Sequence, residues 1–137
     1  MAEAVFAHKI REAGLEGSIS TDSAGTGNWH VGDPPHHGTR RMLAKNAIQY
    51  SHAARQTVAS DLEKFDYILT MDDDNFENVN RMGKGKALVR PFLDYAPGSG
   101  ISEVPDPYYT GNFEAVYDLV DEAADGLLAA IRRDHAI

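Results

Sequence analysis

The sequence predicts an α/β fold in which a small parallel sheet packs against helices, and three stretches carry that prediction. Residues 65–71, Phe-Asp-Tyr-Ile-Leu-Thr-Met, form a short and nearly continuous apolar run of the kind that makes a buried parallel strand. Residues 113–133 repeat apolar side chains at Phe113, Val116, Tyr117, Val120, Ala124, Leu127, Leu128 and Ile131, the spacing of a long amphipathic helix. Residues 1–13 do the same on a shorter scale through Met1, Val5, Phe6, Ile10 and Ala13, with Gly14 as a stop signal. The 137 residues are one domain's worth, with 42% hydrophobic content and room for a single core.

Charge and composition remove several function classes. A net charge of −8 argues against a nucleic-acid surface, which needs clustered Lys and Arg to displace counterions from phosphates. It leaves open a single phosphorylated group held by backbone donors. The chain has no cysteine, which removes disulfides, thiolate metal sites and a cysteine nucleophile from these 137 residues. No apolar run approaches a membrane span, and no basic segment leads into an apolar one at the start. A cytoplasmic protein without a membrane partner is the expectation.

The elements follow in order. A helix opening at Met1 has no capping side chain and places an ammonium where the helix dipole is already positive, so a preceding segment is expected. Residues 18–23 alternate weakly and read as a short strand feeding the loop Ala24-Gly25-Thr26-Gly27. That loop carries the single Trp, Trp29, which serves either as core packing or as a binding-face aromatic. A helix is expected over about 35–45 and a helical turn over 59–64. After the strand at 65–71, Asp72, Asp73 and Asp74 suit the first turn of a helix over about 73–82. A strand over 87–93 follows, marked by Pro91 as an edge or a strand end. The acidic run lacks the pattern of a calcium loop, and His30, His36 and His37 lack zinc spacing. No metal and no cofactor are called for.

A long connection, 94–112, precedes the last helix, and its length alone suggests function. It contains Val104-Pro105-Asp106-Pro107-Tyr108-Tyr109. The two prolines hold Asp106 on a stiff, extended loop, and flanking rings can raise a carboxyl's pKa by excluding water. That is how a proton donor would be mounted. A rigid surface turn with an Asx-type aspartate fits the same residues.

Taken together and in order, several fragments resemble the low-molecular-weight protein tyrosine phosphatases. They are Asp22-Ser23-Ala24-Gly25-Thr26, Trp29 with Val31-Gly32, His52 with Ala54-Arg55-Gln56, residues 65–69 with Met71-Asp72 and Asn75, and Asp106-Pro107-Tyr108-Tyr109. The resemblance covers essentially the whole chain. It implies a parallel sheet of order 2-1-3-4 with helices on both faces. It also implies a first strand and a Cys-x5-Arg-Ser/Thr phosphate loop just before the helix that starts here at Met1. Neither is present in these residues. By the same resemblance Asp106 is the general acid and then base. Trp29, Tyr108 and Tyr109 flank the substrate ring, and Ser23, His52, Asp72 and Asn75 hold the phosphate loop. The implied substrate of a longer form is a phosphotyrosine protein or an aryl phosphate, hydrolysed through a cysteinyl-phosphate.

Three readings follow from that resemblance. Met1 is an internal methionine of a longer, active phosphatase, so that this chain is its truncated body; or the chain is a non-catalytic binding or regulatory module that keeps the phosphatase walls; or it is akin to arsenate reductases of the same fold. The aromatic-rich Asp106 loop favours the phosphatase over the reductase, since arsenate has no aromatic leaving group. A missing strand of about five apolar residues forfeits on the order of 10 kcal/mol. The expectation is therefore a weakly folded chain, one that closes the gap by rearrangement, or one that borrows a strand in a homo-oligomer.

Overall fold

The computed structural model describes residues 1–26, 37–48, 55–105 and 112–137. Five α-helices are described: α1 (Ala2–Glu12), α2 (His37–Lys45), the single-turn α3 (Asp61–Lys64), α4 (Asp73–Arg81) and α5 (Phe113–His135). Two strands, β1 (Tyr67–Thr70) and β2 (Leu88–Pro91), lie before and after α4. Two 3-10 turns, Phe92–Tyr95 and Pro97–Ser99, follow β2.

The core is built on helices. α1 buries Ala4, Val5, Phe6 and Ile10, and α5 buries Val116, Leu119, Val120, Ala123, Ala124, Leu127 and Ile131. Both stripes belong to one apolar cluster with Leu43 of α2 and with Phe92, Leu93 and Ala96 of the segment after β2. Lys9 on the rim of α1 reaches Asp121 and Asp125 of α5 at 2.7 and 2.8 Å. One cation thereby ties two carboxylates that stand one turn apart and would otherwise repel.

The helix ends follow local chemistry. At the end of α1 the Leu15 N–H donates to the Ile10 carbonyl at 2.9 Å and the Gly14 N–H to the Arg11 carbonyl at 3.0 Å. This pairing needs a left-handed residue, and Gly14 supplies it at φ +71°. α2 ends on the same two bonds, from Ile48 to Leu43 and from Ala47 to Ala44, with Ala47 at φ +59° bearing the steric cost of its Cβ. α4 starts at Asp72, whose Oδ1 accepts from the Asn75 N–H at 2.7 Å. α5 starts at Asn112, whose Oδ1 accepts from the Ala115 N–H at 3.1 Å.

β1 and β2 pair in parallel, Tyr67 opposite Leu88 through Thr70 opposite Pro91. The Leu88 N–H donates to the Asp66 carbonyl at 2.9 Å. Parallel alternation then aims the peptide groups of Ile68 and Thr70 at β2 and those of Tyr67 and Leu69 at the opposite edge. Among the described residues no backbone group meets Tyr67 or Leu69 there.

Several expectations need correcting. Residues 18–23 form no ladder strand, and a single parallel bridge joins Gly25 to Gln56. A weakly alternating segment becomes a strand only beside a partner, and no neighbouring strand is described for it. Among the described residues the sheet has two strands in the order β1-β2, rather than the three that the family order leaves once its first strand is absent. β1 is half-buried at Tyr67, Ile68 and Leu69, with only Thr70 buried, and it pairs on one edge only among the described residues. The strand expected over 87–93 stops at Pro91, and Phe92 and Leu93 turn into a 3-10 helix to reach the core. The helices at 59–64, 73–82 and 113–133 appear at 61–64, 73–81 and 113–135.

Candidate functional site

In open α/β sheets ligands bind beyond the carboxyl ends of the strands, and the chain gathers polar groups at that end of β1. Asp72 caps α4 there, and Asn75 in the first turn extends its Nδ2 to Thr26 Oγ1 at 3.5 Å. The Val104 N–H donates to the Met71 carbonyl at 2.8 Å, and Glu103 Oε1 accepts from the Asp73 N–H at 2.9 Å. Two consecutive residues of the long connection are thus pinned to the turn after β1, immediately before Pro105 and Asp106 in sequence.

A second group of contacts surrounds the start of α1. Ser23 Oγ donates to Glu3 Oε1 at 2.5 Å, and the Ser23 N–H donates to Asp22 Oδ1 at 2.8 Å. Met1 provides no side-chain cap for α1. Burial pushes the Met1 amino group below its ordinary 8.0, with the Glu3 carboxylate pulling the other way. Glu3 is the acidic residue of this first turn, where the helix dipole favours negative charge.

Behind Ser23 lies an ionic chain. Arg55 Nε donates to Asp22 Oδ2 at 3.0 Å, and its terminal nitrogens reach Asp61 at 3.1 and 3.4 Å. The Asp61 hydrogen bonds hold the Arg55 pKa above its ordinary value, against the opposing effect of burial, and Asp22 adds to them. Burial pushes the Asp61 carboxyl up. The Val58 N–H and then the Arg55 guanidinium outweigh that, so its pKa falls below 3.8. A carboxyl depressed on folding adds stability above its unfolded pKa and loses it as pH falls through the folded value. That window therefore lies below about pH 4. Asp61→Asn is expected to cost about 2–3 kcal/mol at neutral pH, because it leaves Arg55 without its main partner. Urea melts at pH 7 and pH 3 check this: the deficit should shrink at the lower pH, where wild-type Asp61 begins to protonate.

Of the site residues expected from sequence, Asp72 and Asn75 stand together at the end of β1, and Asn75 meets Thr26. Ser23 is bound instead to Glu3 in the first turn of α1. Trp29, His52, Asp106, Tyr108 and Tyr109 lie outside the described residues, as do His30 and His36. Sequence reasoning gave no role to Thr26, Arg55, Asp61 or Glu103. Asp22 and Arg55 stood in the fragments that carried the resemblance, and their opposite charges were the one available signal. Among the described residues no three His, Asp or Glu side chains are grouped to hold a metal ion. Nor is any described helix long and apolar enough to cross a membrane.

Comparison with known proteins gives a consistent result. The family model described as low molecular weight phosphotyrosine protein phosphatase matches residues 1–136. The low molecular weight protein-tyrosine-phosphatase YfkJ of Bacillus subtilis is 44% identical over 137 aligned residues, covering 98% of this chain and 88% of that protein. The low molecular weight phosphotyrosine protein phosphatase of Schizosaccharomyces pombe is 47% identical over 116 residues, 82% of this chain and 74% of that one. The crystal structure of YfkJ superposes with a TM-score of 0.93 at 43% identity, covering 97% of this chain and 86% of that one.

Proposed function

This chain belongs to the low molecular weight phosphotyrosine protein phosphatase family, and from that premise we propose that it supplies the general acid and the substrate walls of a phosphotyrosine phosphatase site. The observation that carries the reading is the family match over residues 1–136, a span that includes Asp106-Pro107-Tyr108-Tyr109. In this reading Asp106 protonates the departing phenolate and then draws a proton from the attacking water. Trp29, Tyr108 and Tyr109 enclose the aromatic ring. Ser23, His52, Asp72 and Asn75 brace a phosphate-binding loop that would sit beside the uncapped start of α1.

The nucleophile is a different matter. These 137 residues contain no cysteine, so they hold no cysteinyl-phosphate chemistry of their own. The division of labour can be tested by adding what is lacking. A chimera carrying an apolar strand and a Cys-x5-Arg-Ser-Pro loop in front of Met1 is expected to fold and to hydrolyse p-nitrophenyl phosphate. Asp106→Asn in that chimera should lower turnover by about 10²–10⁴-fold, the usual worth of a positioned proton donor. A chimera that folds but stays inactive, or one that is indifferent to Asp106→Asn, defeats the reading and leaves the non-catalytic module.

A further inference from the structure

We propose that a groove on the flank of α5 is a docking surface for a basic, apolar stretch of a partner protein, an arginine or lysine set between aliphatic residues. The groove holds about 410 Å³, within the range of small binding pockets. Ile101 and Pro105 from the long connection, with Val116 and Leu119 from α5, give it an apolar floor. Asp118 and Glu122 of α5 edge it.

Two observations define what fits. Ile101 is 47% exposed, a large aliphatic side chain left in water at the edge of an apolar depression. Asp118 and Glu122 are exposed, stand one turn apart, and make no ion pair or hydrogen bond among the described residues. Other acids on the same helix do find cations: Glu114 has Lys45, and Asp121 and Asp125 share Lys9. Like charges at that spacing weaken a helix, and a cation between them relieves the repulsion.

A long basic side chain satisfies both features at once, with its methylene stem on the aliphatic floor and its charged head between the carboxylates. Arginine fits better than lysine, because its planar fork can engage both acids. The net charge of −8 draws basic segments toward the molecule and repels polyanions. None of this depends on the catalytic reading, since the groove would bind whether or not the chain belongs to a working phosphatase.

The test uses the full 137-residue chain, uniformly labelled with 15N, and two blocked tripeptides, Leu-Arg-Leu and its uncharged twin with citrulline in place of arginine. The arginine peptide is expected to shift the amide resonances of Ile101, Leu119 and Glu122. It should bind about five-fold more tightly than the twin, the worth of a modest charge contact. The exposed, near-isosteric double variant D118N/E122Q, its fold checked by its own amide spectrum, should abolish that preference. Equal binding of the twins, shifts confined to other surfaces, or no binding would each overturn the proposal. So would shifts of the same resonances on concentrating the protein alone, which would assign the groove to a second copy of the chain.

Discussion

Incubated with p-nitrophenyl phosphate, the purified 137-residue chain is expected to release nitrophenolate no faster than a heat-denatured control. Phosphoryl transfer needs an in-line nucleophile and donors that gather charge on the equatorial oxygens. The family's signature supplies both from one loop, with cysteine as the attacking group, and the chain contains no cysteine. Tyr67 meets His135 Nε2 at 2.9 Å, but burial raises its pKa and keeps the phenol protonated. Among the described serine and threonine hydroxyls Ser23 comes nearest to an activated one, with its proton directed at Glu3 Oε1 over 2.5 Å. A carboxylate is a weak base for an alcohol, so this contact orients Ser23 without making an alkoxide. Loss of a nucleophile costs on the order of 10⁶-fold in turnover, which puts the expected rate below detection. A rate constant of about 1 s⁻¹ or more, typical of enzymes, would mean that another side chain of these 137 residues serves as nucleophile.

Gly126→Val is expected to destabilise the fold more than any surface substitution, by about 3–5 kcal/mol, because it forces a side chain against rigid backbone. Gly126 lies in α5 where the helix passes the 3-10 turn Phe92–Tyr95, and a Cβ built there runs into the Tyr95 carbonyl oxygen. Both partners are main chain, in elements that contribute to the same core, so neither can swing aside as a side-chain tip could. The melting temperature should fall by roughly 10 °C or more. Gly98→Ala is the matched control: its Cβ would meet only the Glu122 carboxylate at 3.8 Å, an ordinary contact. Melts of the two variants by circular dichroism decide the matter. Equal transitions would mean that α5 moves away from the turn at little cost.

Local chemistry was legible in the sequence, and pairing across distance was not. The α5 stripe, the stop at Gly14 and the acidic start of α4 each depend on residues within a turn or two, and each appears close to where spacing put it. Leu119 and Ala123 fall outside the predicted stripe, yet both are buried in the same core. Residues 18–23 misled because strand propensity reports a surface that suits a neighbour, and says nothing of whether one is present. The Asp22, Arg55 and Asp61 chain escaped notice for a related reason: 33 positions separate its first two members. At the candidate site, Asp72 and Asn75 came from the resemblance. The contact of Asn75 with Thr26, like the pinning of Glu103 and Val104, became visible only once β1 and the long connection were set side by side.

The outward edge of β1 bears on how the chain behaves as a substance. Peptide groups at Tyr67 and Leu69 that meet no backbone partner among the described residues can be met by the same groups of another molecule, and that encounter is second order in protein. Doubling the concentration would quadruple the rate of encounter while leaving every unimolecular property of the fold untouched. The chain's useful lifetime in solution is governed by how often two such edges collide as well as by the stability of either one.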